Sequence, residues 1–198
     1  MLNNYIRLYQ QLRSRLYFSV ADITQILQIK PTSANMLASR YAKRGLLLRI
    51  KKDMYVFPEQ WHNFNEVQKY QIANLIQVPS YISFMSALSY YEITTQTQQN
   101  FYESAALTRS HQTIIDSQTF AYYKLKKQFF FDFVKRDNFF IATKEKAFID
   151  AIYLYSFGKY RLDLASLDIN KLDKSRIKKL IKIYPDKTKT IIRTLCKI

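Results

Sequence analysis

The stretch "KRGLLLRIKKDMYVFP", Lys43 to Pro58, decides how the first third of this chain is read. Gly45 sits where a helix needs a left-handed residue to stop. Leu46 to Ile50 and Met54 to Phe57 are short apolar runs on either side of a charged triplet, Lys51-Lys52-Asp53. Two such runs around a short polar break read as an antiparallel hairpin. The spacing upstream predicts the helix that Gly45 ends, from about Ser33 to Arg44. Ala34, Leu37, Ala38 and Tyr41 lie on its inner face. Thr32, Met36, Ser39, Arg40 and Lys43 point the other way, with Asn35 and Arg44 at the flanks.

Two more helices precede it. Leu2, Tyr5, Ile6, Tyr9, Leu12 and Leu16 recur at helical spacing. Ser19, followed three residues later by Asp22, is an acidic variant of the capping box, and it opens a short helix from Val20 to about Gln28. Pro31, in Lys30-Pro31-Thr32-Ser33, marks a turn. Three helices and a hairpin form the layout of a winged helix, in which the last helix enters the DNA major groove and the hairpin follows the backbone. Short polar side chains can approach base edges there, and Arg and Lys bind phosphate or guanine.

The charge distribution agrees with a polyanion partner. The 198 residues carry a formal net charge of +16. Residues 1–62 hold ten Lys/Arg against three Asp/Glu, residues 63–170 eleven against ten, and residues 171–198 ten against two. Cations therefore concentrate at the two ends, which is an electrostatic footprint for nucleic acid. Hydrophobic residues make up 48% of the chain and aromatic ones 16%, enough for a buried core and far from a disordered profile. A single cysteine, Cys196, excludes an internal disulfide and a thiolate metal cluster. No apolar run approaches a membrane span, and the N-terminus lacks a signal-peptide cleavage site, so a cytoplasmic protein is expected.

Beyond Pro58 to Asn63, the connection out, a bridging helix is expected around Glu66 to Gln77. Ser80 reads as the N-cap of a buried helix containing Ile82, Phe84, Met85, Ala87 and Leu88. Phe101 to Leu107, Thr113 to Leu125, Gln128 to Val134 and Phe139 to Ala142 read as strands. Thr143 caps a helix with Ala147, Phe148, Ala151, Ile152 and Tyr155 on one apolar face. Two basic helices end the chain, about Lys174 to Ile183 and Lys187 to Lys197, separated by Pro185.

The residues give little sign of an enzyme. Glycine occurs only at 45 and 158, and no two carboxylates stand two residues apart, so the Gly-Ser turn and metal-binding acid pair of a nucleotidyltransferase are missing. His62 and His111 are distant from each other and lack acidic neighbours that would suggest a metal site. A nuclease cluster of Glu103, Asp116 and Lys124 is conceivable, but such residues also occur singly on solvated strands. No cofactor, metal or catalytic residue is assigned.

"DITQIL" and "YAKRGLLLRIKKDMYVFP", followed in order by "SYISFMSALSYYEITTQ", "FYESAALTR", "FIATKEKAFIDAIYLYSF" and "YRLDLASLDINKL", resemble the AbiEi-type antitoxins and related transcriptional regulators. The resemblance covers nearly the whole chain. It implies a partner toxin of the nucleotidyltransferase type, the two forming a type IV toxin–antitoxin system used in abortive infection and phage defence. It implies that the N-terminal domain represses its own operon at inverted repeats, and that the C-terminal domain supplies antitoxicity without a stable complex with the toxin. The chain departs from the family where Asp53 and Glu92 replace usual glycines and Lys144 a common proline. Asp tolerates positive φ at modest cost and Glu less readily, so Glu92 is expected either to extend its helix or to be strained.

The expected fold class is α+β: a winged helix-turn-helix domain over residues 1–62, then a mixed α/β antitoxin domain over 63–198 ending in two helices. Double-stranded operator DNA is the expected partner, bound by a monomer or homodimer, with no membrane involved. Thr32, Ser33, Asn35, Met36, Ser39, Arg40, Lys43 and Arg44 form the groove-facing set, and Arg49, Lys51 and Lys52 the wing contacts. Lys174, Arg176, Lys178, Lys179, Lys182, Lys187 and Lys189 read either as the solvated face of two amphipathic helices or, in addition, as a second polyanion contact. Two alternatives compete: an adaptor that docks a toxin directly, and an RNA-binding protein using the basic C-terminal helices.

Overall fold

The computed structural model describes residues 2–96 and 98–198, with the side chain of Leu2 outside the description. The chain is α+β and divides into two compact units, Met1–Ile72 and Ala73–Ile198. The division falls ten residues beyond the expected end of the first domain at His62. Residues 58–63, expected as a plain connection, form a short helix of the first unit.

The first unit contains α1 (Leu2–Leu12), α2 (Val20–Leu27), α3 (Pro31–Lys43), β1 (Leu48–Lys51), β2 (Met54–Val56) and α4 (Pro58–Asn63). A fifth helix, α5 (Glu66–Ile76), begins in this unit. α1 stops at Leu12, short of the expected Leu16. α2 has the predicted capping box, with Ser19 and Asp22 satisfying each other's backbone N–H groups. Pro31 opens α3 at its first position instead of breaking the chain before it, because a residue there has no intrahelical use for its N–H. At the other end Gly45 has φ +71°. Gly45 N–H donates to Ala42 O at 3.1 Å and Leu46 N–H to Tyr41 O at 3.0 Å, the paired bonds of a Schellman stop.

Leu8, Leu12, Phe18, Ile23, Leu37, Tyr41 and Phe57 form the core of this unit, each at most 5% exposed. Phe18 and Tyr55 exchange backbone hydrogen bonds of 2.9 Å in both directions, so the segment before α2 lies against the hairpin. Trp61 and Lys69 are also buried. The Lys69 ammonium donates to Trp61 O at 2.6 Å and stands 3.5 Å from the centre of the indole, which compensates a cation taken out of water.

The second unit is built on a six-stranded mixed sheet. Its strands are β3 (Ser80–Ile82), β4 (Phe101–Ala106), β5 (His111–Ile115), β6 (Gln118–Lys124), β7 (Phe133–Arg136) and β8 (Phe139–Ala142). Their order is β5-β6-β4-β3-β8-β7. β4–β6 and β3–β8 are parallel pairs, and the remaining neighbours are antiparallel. α6 (Phe84–Tyr90), α7 (Lys144–Ser156), α8 (Lys174–Leu180) and α9 (Asp186–Cys196) complete the unit. α7 packs against α6, α8 and α9 and is buried nearly all round, which suits a central helix.

Three expectations for this unit are corrected. Ser80 does not cap a helix; it starts β3, and the helix begins at Phe84. Residues 113–125 are not one strand but the two arms of a hairpin, joined by Asp116 and Ser117 at φ +44° and +65°. Residues 128–134 split into a 3-10 turn at 127–129 and the start of β7. β7 and β8 are joined by a similar turn, Asp137-Asn138, at φ +43° and +62°. Both are the primed two-residue geometry that fits strand twist. With two glycines in the chain, Asp and Asn fill most such positions. Glu92 is strained, not part of a longer helix: α6 ends at Tyr90, and Glu92 lies at φ +55°.

Candidate nucleic-acid interface

Helical spacing sorts α3 into two faces. Ala34, Leu37, Ala38 and Tyr41 are buried; Thr32, Asn35, Met36, Ser39, Arg40 and Lys43 are exposed, and Ser33 is half-buried between them. Met36 is 66% exposed. Asn35, Met36, Ser39, Arg40, Lys43 and Arg44 line a shallow depression of about 460 Å³ along the helix. A second depression, of about 700 Å³, lies between α2, the start of α3 and the hairpin. It brings Thr32 and Asn35 of α3 to the same concave surface as Arg49 and Lys52 of the hairpin. Thr24 and Gln25 of α2 line it too. Sequence reasoning did not select these two, although the exposed positions Ala21 and Gln25, four apart on α2, were the available signal.

On β1, Arg49 and Lys51 are exposed and Ile50 is buried, the alternation of a half-buried strand. Arg49 donates to Lys51 O at 3.4 Å, which holds its guanidinium along the hairpin. Arg40, Lys43, Arg49 and Lys52 form no ion pair with any described carboxylate.

The acids of this unit are occupied elsewhere. Burial alone would raise the Asp22 carboxyl, but hydrogen bonds from Ser19 and the Arg15 guanidinium at 2.5 Å outweigh it and hold it below the usual range. Glu59 accepts from the Tyr9 hydroxyl at 2.6 Å. Asp53, at φ +59°, takes the left-handed turn position. Its Oδ1 accepts from the Val20 N–H at 2.7 Å. Val20 is the first residue of α2, so this carboxylate satisfies an otherwise orphaned donor and ties the hairpin tip to the helix.

The C-terminal cations do not act alike. Arg176 is engaged inside its own unit, 2.6 Å from Asp132 and 3.8 Å from Glu145. Lys189 pairs with Asp186 at 3.2 Å. Lys187 Nζ lies 5.8 Å from the centre of the Phe157 ring. Lys174, Lys178, Lys179 and Lys182 are exposed and make no ion pair with a described residue.

Glu103 and Lys124, weighed with Asp116 for a nuclease cluster, are not brought together. Glu103 is buried on β4, Asp116 is in the β5–β6 turn, and Lys124 ends β6. Glu103 pairs in register with Ala121, three residues before Lys124, so the two side chains leave opposite faces of the sheet. His111 stacks on Tyr122 at 4.8 Å. Among the described residues no group of three His, Cys, Asp or Glu could hold a metal ion, and no helix is long and apolar enough to cross a membrane.

Two buried polar clusters in the second unit have no clear mark in the sequence. Lys146 and Asp150, one turn apart on α7, form an ion pair with no exposure. Asp150 also accepts from Tyr81 at 3.0 Å and Ser83 at 2.9 Å. Glu103 accepts from Tyr160 at 2.9 Å, Met85 N–H at 3.0 Å and Tyr123 at 3.3 Å. Burial raises its carboxyl to about 7 despite these donors. The i, i+4 Lys–Asp spacing is the one clue to the first cluster, and it ordinarily marks a solvated pair.

The arrangement is thus a two-unit α+β chain with a basic helix–hairpin face on its first unit. No protein-family model and no curated protein matches the sequence. Among solved structures the chain is similar in fold to the crystal structure of the RV2827C protein from Mycobacterium tuberculosis, at a TM-score of 0.64 and 11% identity. The match covers 98% of this chain and 76% of that one.

Proposed function

We propose that this chain is a DNA-binding transcriptional repressor. In this reading the first unit is a winged helix: α3 enters the major groove, and the β1–β2 hairpin follows the backbone as the wing. One observation carries it. Short polar residues of α3, Thr32 and Asn35, share a concave surface with Arg49 and Lys52, and these two cations have no carboxylate partner. Base-reading groups and phosphate-binding groups then serve one ligand. The resemblance to AbiEi-type antitoxins extends the proposal: the repressor autoregulates its operon and counteracts a nucleotidyltransferase-like toxin without itself being an enzyme.

Gel shifts with DNA from the protein's own promoter, over a series of salt concentrations, test the interface. Replacing Lys51 and Lys52 by Ala should weaken binding to every DNA and reduce the log–log salt slope by about 0.9 for each phosphate that is no longer neutralised. Asn35→Ala should instead relax sequence preference, by about 1–3 kcal/mol at the base pair it reads. An unchanged slope together with an unchanged preference rejects the interface.

Lys178, Lys179 and Lys182, exposed and making no ion pair with a described residue, favour a second reading, an RNA contact on the C-terminal helices. Neutralising all three should abolish antitoxicity while operator binding stays intact. Loss of both, or of neither, removes this reading.

A further inference from the structure

The second unit has a concave site of its own. A cavity of about 630 Å³ opens beside the end of β6, the C-terminal end of α7 and the start of α9. Lys124, Lys126 and Lys159 stand around it, all exposed. Tyr153, Phe157 and Pro185 supply an apolar wall. Phe157 is 45% exposed, and the Tyr153 ring braces it edge-on at 5.5 Å. Lys187, beside the same ring, adds a fourth cation.

The charge here is uncompensated. No carboxylate lines the cavity, and Lys124, Lys126 and Lys159 make no ion pair with a described residue. Asp186, next to Pro185, is engaged by Lys189. Glu103, behind Tyr123, is buried and holds three donors.

Two needs must be met by one ligand. Lysines gathered without acids favour an anion. An exposed aromatic ring with an apolar wall favours a flat ring that stacks. Inorganic phosphate would leave Phe157 in water, and an uncharged ring would leave the lysines unmatched. A phosphate joined to an aromatic base meets both, and stacking with lysine contacts is the sequence-tolerant way proteins hold nucleotides. The volume lies within the range of small-molecule sites. We propose that this cavity binds a nucleotide, its base against Phe157 and its phosphate among Lys124, Lys126 and Lys159. The nucleotide is either free or a unit of a single-stranded nucleic acid.

Calorimetric titration of the full chain tests this. The probes are the four ribonucleoside monophosphates, adenosine, inorganic phosphate and an oligouridylate of about eight residues. A monophosphate should bind at least about tenfold more tightly than phosphate or adenosine alone. The triple substitution Lys124→Ala, Lys126→Ala, Lys159→Ala should weaken it by about tenfold or more, without moving the melting temperature. Phe157→Ala and Lys159→Gln should each cost about threefold or more, which covers the event that the triple variant folds poorly. Lys135→Gln, Lys171→Gln, Lys197→Gln removes the same charge elsewhere in the second unit and should change affinity by less than about twofold. An oligouridylate that binds about tenfold more tightly than uridine monophosphate identifies a single strand as the source, and equal affinity identifies the free nucleotide. The proposal is overturned if no monophosphate binds, if phosphate alone binds as tightly, or if the two triple variants lose affinity equally. Operator gel shifts on the cavity variants separate this outcome from that of the repressor reading, since those shifts should be unchanged.

Discussion

On α3 and the hairpin, Arg40, Lys43, Arg49 and Lys52 are exposed and form no ion pair with a described carboxylate. In the sheet unit, Lys146, Asp150 and Glu103 are at most 1% exposed and surrounded by matching donors and acceptors. The same residue types are used for opposite ends. Buried charges must be matched within the fold, because desolvation is otherwise too costly. A cluster of like charges at a surface does nothing for the fold and raises its self-repulsion. Its match must come from outside. The contrast makes a direct claim: substitutions of these buried groups should be read in stability, and those on the basic face in binding.

The strongest way to break that claim is the Lys146–Asp150 pair. Asp150→Ala leaves the Lys146 ammonium buried beside Tyr81 with no counter-charge, and Lys146→Ala does the reverse. Each single substitution should cost about 3–5 kcal/mol in urea unfolding. The double substitution Lys146→Met, Asp150→Leu should lie nearer the wild type than either single one, since it removes both desolvated charges together. Singles that each cost under about 1 kcal/mol would mean that the pair is solvated and the contrast false.

Glu103 sharpens the comparison through pH. Its carboxyl stands at about 7 in the fold against an ordinary 4.5, with burial as the leading cause. The folded chain therefore holds a proton that the unfolded chain releases between about pH 4.5 and 7. Stability contributed by this group is complete below that window, falls as pH rises through it, and is level above it. The full change is about 3 kcal/mol. Glu103→Gln keeps the neutral shape and should remove this slope, so the variant gains on the wild type from pH 5 to 7. Parallel stability profiles for the two proteins across that window would show that Glu103 titrates normally.

The two regions also differ in how far the sequence discloses them. In the first unit local chemistry and tertiary structure agree. Ser19 with Asp22, the Ala34–Leu37–Ala38–Tyr41 stripe and Gly45 each mark a feature by a short-range rule, and the structure keeps them. In the sheet unit the rules hold in places, as where the Thr143 side chain caps α7 and 139–142 form a strand, and fail in others. The turns Asp116-Ser117 and Asp137-Asn138 lack the glycine that would advertise a hairpin, so the residue 113–125 run looks like one strand. Ser80 precedes a helix-like apolar run, but pairing with β4 and β8 overrides local preference and makes a strand of it. The buried clusters are set by contacts between residues as far apart as Tyr81 and Asp150. The exposed face of α3 is legible as a helix surface; that Thr24 and Gln25 of α2 line the same depression depends on how α2, α3 and the hairpin meet.

Asp53 belongs to both sides of the comparison, and its expected effects are the smallest. It lies between the basic hairpin tip and the N-terminus of α2, where its carboxylate accepts the Val20 N–H at 2.7 Å. Its backbone at φ +59° occupies a place that glycine fills most easily. Asp53→Ala loses both the cap and the tolerance of that conformation, and should cost about 1 kcal/mol in unfolding. Asp53→Gly regains the backbone but not the cap, and should fall between the two. Asp53→Asn keeps an accepting oxygen and tolerates positive φ, so it should lie within about 0.5 kcal/mol of the wild type. It also removes a negative charge beside Lys52, and should tighten operator binding a fewfold at low salt, with the gain fading as screening rises. If Asp53→Asn is instead as unstable as Asp53→Ala, the charge itself steadies the start of α2. The residue would then be retained for the fold at a cost to the grip on DNA. If Asp53→Asn leaves operator affinity unchanged at every salt concentration, the hairpin tip is not at the phosphates, and the wing must be withdrawn from the interface.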